Sequence, residues 1–136
     1  MGPSGSVAAV VANDGTLVYM PGSGELGPER TLVWVDRQAQ ETPIPAPARR
    51  YTYPRLSPDG ARVALFINDQ QQDIWLWDLA RATLTRVTFE PGQDTYPVWT
   101  PDGRRLLFGS NRSGVANLYA QAADGTSPVE RLTEST

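Results

Sequence analysis

The chain has 136 residues, with 12 basic and 15 acidic side chains and a net charge of −3. A negative net charge argues against nucleic acid as the main partner, because nucleic-acid binding depends on an excess of basic side chains. No run approaches the roughly 20 apolar residues that span a membrane, and the short apolar run at 7–12 lacks the basic flank of a signal peptide. We therefore expect no nucleic-acid partner, no membrane insertion and no compartment signal within these residues.

Missing residue types narrow the chemistry further. The chain contains no cysteine and no histidine, and all twelve of its basic residues are arginine. Disulfides, thiol nucleophiles, a Ser-His-Asp triad and a Schiff-base lysine are thereby excluded within the chain. A bound metal would have to be a hard cation held by oxygen atoms, such as calcium, magnesium or manganese.

The first part of the chain predicts four short strands after a flexible leader at residues 1–6. Asn13-Asp14-Gly15 is a turn signal between the first two strands, and the Pro/Gly-rich residues 21–30 indicate a loop. Prolines in the fourth strand suit the edge of a sheet, where no ladder hydrogen bond is lost. The predicted strands are Val7–Ala12, Leu17–Tyr19, Thr31–Asp36 and Glu41–Pro45.

A repeated motif then organises the rest of the chain. Tyr53-Pro54-Arg55-Leu56-Ser57-Pro58-Asp59-Gly60 is matched by Tyr96-Pro97-Val98-Trp99-Thr100-Pro101-Asp102-Gly103. In each copy, a short apolar run ends at a Pro-Asp-Gly corner and a second run returns, which predicts a β-hairpin. Each copy is followed by two further predicted strands; the eight strands are 51–56, 63–67, 73–78, 84–89, 96–100, 106–109, 117–119 and 129–133.

Three units of four strands predict an all-β fold of three antiparallel propeller blades, with no helix. A hairpin repeat of about 40–45 residues is typical of propeller blades. The predicted blades lie at about residues 7–46, 50–90 and 95–134. Four tryptophans are expected in the core between blades: Trp34, Trp75, Trp77 and Trp99.

These motifs resemble the TolB-like, WD40-like (PD40) β-propeller repeat. The resemblance rests on Tyr53–Gly60, Asp73-Ile74-Trp75 and Arg86-Val87-Thr88 with their equivalents in the third unit, and it covers roughly residues 7–135. The chain is also similar to the propeller that follows the kinase domain in bacterial receptor-type serine/threonine kinases. Members of the resembling family are often periplasmic or extracytoplasmic.

The resemblance implies a ring of six blades, whereas this chain supplies three. An open half-ring would leave apolar blade faces exposed. We therefore expect a C2 homodimer in which each chain forms half of one six-bladed ring. The alternative is that the sequence is a piece of a longer protein that supplies the other blades itself.

The central channel of such a ring would have one mouth built from the loops that lead into each blade and the loops that join second and third strands. Arg49-Arg50 is expected to bind an anion, because no repeat constraint explains it. The candidate ligand-binding residues at this mouth are Arg49, Arg50, Tyr53, Asn68, Asp94, Tyr96, Asn111 and Arg112.

Other recurring polar residues have a structural interpretation. Asp73 and Asn117 occupy equivalent positions in two units, which indicates capping hydrogen bonds. Tyr53 and Tyr96 each precede a proline, so an extended backbone is expected there. Glu90 and Asp94 are the best carboxylate pair near the mouth and could hold calcium or manganese when doubled by symmetry.

Two classes of function remain open from the sequence. The first is a TolB-like binding module that holds a peptide, a protein partner or a small ligand at the channel mouth. The second is a hydrolase of phosphotriesters or lactones that depends on an oxygen-ligated divalent metal on the dimer axis. The motifs predict a fold and leave the ligand open.

Overall fold

The computed structural model of the protein describes residues 8–11, 15, 17–20, 29–69 and 71–136. The expected leader at 1–6, the Asn13-Asp14 part of the first corner and most of the expected loop at 21–30 lie outside these residues. The described part of the chain contains strands and turns and no helix. It forms three antiparallel sheets of four strands each, as predicted.

Each sheet is a run of consecutive strands in which chain neighbours pair. The first, β1-β2-β3-β4, pairs Val10 with Val18 and Val18 with Trp34. The twelve strands are β1 Ala8–Val11, β2 Leu17–Met20, β3 Arg30–Val35, β4 Glu41–Arg49, β5 Tyr51–Leu56, β6 Arg62–Asn68, β7 Gln72–Asp78, β8 Thr83–Arg86, β9 Asp94–Trp99, β10 Arg105–Ser110, β11 Asn117–Ala122 and β12 Glu130–Arg131.

Strand bounds differ from the sequence prediction mainly in the fourth strand of each sheet. β4 continues through three prolines to Arg49, because as an edge strand it needs ladder hydrogen bonds on one side only. β8 and β12 are shorter than expected, since the chain after Arg86 and after Arg131 turns its polar groups toward the third strand. Residues 46–49, which follow the predicted fourth strand, therefore belong to β4.

The Pro-Asp-Gly corners fold by the same local hydrogen bonds in the second and third sheets. The Ser57 hydroxyl donates to Asp59 Oδ1 at 2.6 Å and accepts from the backbone N–H of Arg62 at 2.9 Å. Thr100 and Asp102 repeat the first contact at 2.6 Å. Gly60 closes its turn at φ 73°, a left-handed conformation that glycine adopts without steric cost.

These corner hydrogen bonds predict part of the acid sensitivity of the fold. Hydrogen bonds from Ser57 and Thr100 lower the pKa of Asp59 and Asp102 in the folded chain. A lowered folded-state pKa gives stability that is present above the unfolded pKa and lost as pH falls through the folded pKa. We expect the double variant Asp59→Asn/Asp102→Asn to lose less stability than the wild type on acidification below about pH 4.

Urea unfolding at a series of pH values measures this effect. Glu134→Gln, an exposed carboxylate near the C-terminal end, is the control and should leave the pH slope unchanged. An unaltered acid slope in the double variant would show that the corner carboxylates are not responsible.

The three sheets pack face to face, with one apolar core between each pair of neighbours. The first core joins Leu32 and Ile44 of the first sheet to Val63, Leu65 and Trp77 of the second. Trp77 is buried as predicted, while Trp34, Trp75 and Trp99 are half-buried at the core margins. The second core joins Ala64, Phe66, Ile74, Leu76 and Val87 of the second sheet to Leu106, Phe108, Tyr119 and Ala123 of the third.

The first strands of the sheets lie next to one another. β5 contacts β1 on one side and β9 on the other, whereas β4, β8 and β12 are the opposite edges of their sheets. Three sheets arranged with their first strands together and their fourth strands apart are blades around one axis. This places the starts of β5 and β9 at the predicted channel.

Candidate functional site

Two tyrosines on the innermost strands form the most exposed aromatic pair near the axis. The ring centroids of Tyr53 and Tyr96 are 4.6 Å apart, and the rings are tilted by 44°. Tyr53 also lies 6.3 Å from Phe66, while 36% of Tyr53 and 58% of Tyr96 remain exposed. The structure therefore brings together two side chains that the sequence placed at the mouth in separate repeats.

The backbone at both tyrosines corrects one expectation. An extended conformation was predicted before proline, but φ is 51° at Tyr53 and 56° at Tyr96. The pairing register of β5 with β6 shifts between Thr52 and Arg55, so the chain bulges at this point. A left-handed conformation at a bulky residue costs of order 1–3 kcal/mol and persists where the surrounding structure enforces it. The bulge turns each tyrosine out of the regular strand alternation.

The hydroxyl groups of the pair also interact. A side-chain hydrogen bond with Tyr96 raises the pKa of Tyr53, with a smaller contribution from burial. The Tyr53 phenol therefore stays neutral near pH 7. The pair presents aromatic surface and hydroxyl groups.

Arg49 is the last residue of β4, and Arg50 lies between β4 and β5. The Arg49 guanidinium forms an ion pair with Asp69 and stacks 4.9 Å from the centroid of Trp75. Arg50 is exposed. Both arginines line a cavity of about 670 Å³ between the first and second sheets, together with Glu29, Asp69, Gln71, Asp73, Trp75 and Arg86.

Burial shifts the pKa of one side chain in this region. Tyr51, which opens β5, is fully buried and donates its hydroxyl to the Pro47 carbonyl. Desolvation raises the pKa of Tyr51 to about 12, against the opposing effect of the Arg49 charge. Tyr51 thus ties the end of the first sheet to the start of the second.

Asp94 and Arg112 pair in the third sheet. Arg112 Nη2 lies 3.0 Å from each carboxylate oxygen of Asp94, which is fully buried. The guanidinium also lies 4.9 Å from the ring centroid of Tyr119. Both residues were predicted as ligand-binding, and in this structure their charges are directed at each other.

The two predicted asparagines make local contacts. Asn68 Oδ1 accepts from Gln72 Nε2 at 2.9 Å, so it closes the loop between β6 and β7. Asn111 Oδ1 accepts from the backbone N–H of Gln93 at 2.7 Å and joins the loops on either side of β9 and β10. Neither of these contacts involves Tyr53 or Tyr96.

Asp73 and Asn117 make the capping hydrogen bonds expected of them. Asp73 accepts from the Thr88 hydroxyl at 3.1 Å and pairs with Arg86 at 2.7 Å. Burial raises the pKa of Asp73, although the Thr88 hydrogen bond and the Arg86 charge oppose that rise. Asn117 likewise accepts from the Thr133 hydroxyl at 2.9 Å. Each contact fixes the end of the fourth strand to the third.

The predicted metal pair, Glu90 and Asp94, remains a prediction. Glu90 is exposed, while Asp94 has both oxygens in contact with Arg112. A calcium or manganese ion at Asp94 would have to displace that arginine. Among the residues that the structure describes, no three or more acidic side chains cluster in a way that could hold a metal ion.

Sequence reasoning missed the partners of the predicted arginines. Asp69 and Trp75 hold Arg49, and no spacing rule connects them, because Asp69 lies in the loop after β6 and Trp75 lies on β7 of the next blade. It also missed Gln121, a buried side chain whose Oε1 has no hydrogen-bond partner. The sequence signal that could have identified Gln121 is the repeat, which places this polar residue at the position that Trp77 occupies in the second unit. The described residues include no helix long and apolar enough to cross a membrane.

The three blades, their common axis and the paired repeats define a β-propeller. A family model described as the TolB beta propeller domain (PD40) matches residues 32–136. That match covers most of the chain, so the chain belongs to the TolB β-propeller family.

Individual relatives agree with that assignment. The chain is 39% identical over 80 residues to an uncharacterized protein of Agrobacterium fabrum, covering 58% of this chain and 27% of the relative. It is 32% identical over 78 residues to the Tol-Pal system protein TolB of Helicobacter pylori, covering 57% of this chain and 19% of that protein. The chain therefore matches only a small part of each relative's length.

A solved structure shows the same relation. The structure of a putative TolB from Agrobacterium tumefaciens superposes with a TM-score of 0.78 and 25% identity, covering 98% of this chain and 50% of that chain. Nearly all of this chain therefore corresponds to half of that structure.

Proposed function

We propose that this chain is a binding module, in which three TolB-type blades pair with three more to form a ring that holds a polypeptide segment at its channel mouth. The single observation that carries the binding proposal is the Tyr53–Tyr96 pair. Two strained backbones hold these rings together in partial contact with solvent. Backbone strain of this kind clusters at ligand clamps and active sites.

Ring completion is argued from the repeat itself. Leu118 occupies the position of Ile74, and Leu132 that of Val87, because the N–H of Leu132 donates to the Leu118 carbonyl as Val87 does to Ile74, both at 2.8 Å. Ile74 is 0% exposed and Val87 5% exposed against the third sheet. The equivalent Leu118 and Leu132 are 52% and 43% exposed. The outer face of the third sheet, defined by Leu118, Leu132 and Val98, therefore has the pattern of a face that another blade covers.

We assign that cover to the first sheet of a second copy. On β3, Val33 and Val35 alternate with Leu32, and Leu32 packs against the second sheet. Val33 and Val35 therefore belong to the opposite face. Val33 is only 7% exposed in the single chain, so the half-buried Val35 is the residue of this pair that the third sheet of a partner would cover. The chain corresponds to half of the putative TolB structure, so a comparable ring needs as many blades again. A C2 pair would make the same contact twice.

The mouth of such a ring suits an uncharged or acidic polypeptide segment with an aromatic or aliphatic side chain. Tyrosine pairs offer a large apolar surface and a hydrogen-bonding tip, and tyrosine and arginine are enriched among residues that dominate binding energy. Arg50, which is exposed just before β5, adds a positive charge to the proposed mouth. The other residues predicted at the mouth make contacts within the chain that hold the surrounding loops: Arg49, Asn68, Asn111 and Arg112.

A peptide selection tests the binding proposal. Random 12-residue peptides displayed on phage are selected against the purified chain, and the enriched peptides are synthesised and measured by calorimetry. We expect Tyr53→Ala or Tyr96→Ala to weaken these peptides about ten-fold or more, because truncation of an aromatic anchor removes its contact area.

Phe89→Ala is the matched control, since Phe89 is an aromatic residue that is 66% exposed, more than either tyrosine, and it follows β8, the edge strand of the second sheet. Its affinity for the selected peptides should match the wild type. Peptides whose affinity depends on Phe89 and not on either tyrosine would place binding elsewhere and contradict the proposal.

A further inference from the structure

A cavity lies between the second and third blades, and its lining includes Glu90 and Arg112, two residues predicted at or near the channel mouth. It has a volume of about 480 Å³ and lies where the end of β8 faces β11 and β12. Its apolar walls include Val87, Phe89, Tyr119 and Val129, and Gln121 lies among them. Its size is within the range of about 300–1,000 Å³ found for small-molecule pockets.

Gln121 is the unusual residue of this cavity. It is 8% exposed, and its Oε1 is buried without a hydrogen-bond partner. A buried acceptor of this kind is destabilising unless something donates to it. Gln121 lines the cavity, but its Oε1 has almost no accessible surface in this conformation. A molecule held in the cavity can therefore supply the missing donor only when the Gln121 amide turns toward it.

The repeat shows what the position holds in the neighbouring blade. Gln121 pairs with Leu106 across the strands, and Trp77 pairs with Val63 at the equivalent place in the second sheet. The Trp77 indole is 2% exposed and belongs to the core between the first and second sheets. In the third sheet the shorter glutamine replaces the indole, and the cavity lies between blades at that position.

The charges at the cavity favour a neutral ligand. Arg112 is paired with Asp94. The remaining charged side chains are one acidic residue, Glu90, and one basic residue, Arg131, whose Nε donates to the Thr133 carbonyl. A ligand with a formal charge would find no net compensation here, whereas a planar apolar ring meets apolar walls.

We propose that this cavity, the Gln121 pocket, binds a neutral aromatic ring of the indole class that donates its ring N–H to Gln121 Oε1. The ring occupies the space that Trp77 fills in the preceding blade, and the N–H satisfies the unpartnered acceptor. The pocket lies entirely between blades present in one chain, so it does not depend on how the ring is completed.

Titration of the ¹⁵N-labelled full chain with indole tests this proposal. The side-chain amide signals of Gln121, identified by their loss in Gln121→Leu, should shift saturably. 1-Methylindole has the same ring but no N–H, and we expect it to bind about ten-fold more weakly, as is usual when a buried hydrogen bond is lost.

Variants separate the hydrogen bond from the cavity. Gln121→Leu should weaken indole about ten-fold and abolish the difference between the two probes, while Gln121→Trp should prevent both from binding. Gln121→Met serves the same purpose as the leucine variant if that variant does not fold, with circular dichroism as the folding check. Gln71→Leu, the same change in the cavity between the first and second sheets, should leave indole binding at the wild-type level.

N-acetyl-tryptophanamide distinguishes the source of the ring. Binding as tight as that of indole assigns the pocket to a tryptophan side chain of a polypeptide, and its failure beside indole binding assigns the pocket to a free small molecule. The proposal is overturned if indole causes no saturable shift of the Gln121 amide, or if 1-methylindole binds as tightly as indole.

Discussion

Asp94→Asn is expected to lower the free energy of unfolding by about 3–5 kcal/mol, as found when one partner of a buried ion pair is removed. Asp94 is fully buried, and only 12% of the Arg112 side chain is exposed. Loss of the carboxylate would leave the guanidinium buried beside Tyr119 without a counter-charge. Urea denaturation of the two proteins measures the difference.

An exposed pair in the same sheet provides the comparison. Arg105 and Glu130 also form an ion pair, but their side chains are 40% and 59% exposed. Glu130→Gln should therefore change the free energy of unfolding by at most about 1 kcal/mol. Replacing both members of the buried pair, as Asp94→Leu/Arg112→Met, should recover part of the loss because no charge is then stranded. Equal small effects of Asp94→Asn and Glu130→Gln would show that the buried pair is not a structural element.

Leu118→Arg/Leu132→Arg is expected to separate two chains that close a ring together. The two side chains lie on the outer face of the third sheet, and their equivalents Ile74 and Val87 are buried between blades. A charge placed in such an interface is desolvated without a partner, so the dissociation constant of the dimer should rise roughly a hundred-fold or more. Sedimentation velocity over a range of concentrations measures it.

Gln38→Arg, in the exposed turn between β3 and β4, adds charge outside the proposed interface and should leave the dissociation constant unchanged. A double variant that keeps the wild-type association would mean that the outer face of the third sheet does not contact another chain.

Local chemistry explains why the blades could be predicted from the sequence. The Pro-Asp-Gly corners are specified within a few residues. The Ser57 hydroxyl donates a hydrogen bond to Asp59 and accepts one from the backbone N–H of Arg62. Two-residue apolar alternation on either side of each corner then predicts the hairpins. Repetition of both features in successive units extends the hairpins to blades.

Side-chain partnerships at the site were less predictable, because they depend on neighbouring blades. Arg49 was expected as a free cation, yet Asp69 and Trp75 of the second sheet hold it. The bulge at Tyr53 and Tyr96 overrides the usual extended preference before proline, and tertiary packing decides that outcome. Rules based on nearby residues in the sequence predict neither the partners of Arg49 nor the backbone conformation of the two tyrosines.

The molecular mass of the purified chain tests the central claim most directly. The outer face of the third blade is predicted to be covered by the first blade of a second copy, so light scattering coupled to size exclusion should give twice the 14.9 kDa of one chain. A stable, monodisperse species of 14.9 kDa would contradict ring closure by two copies.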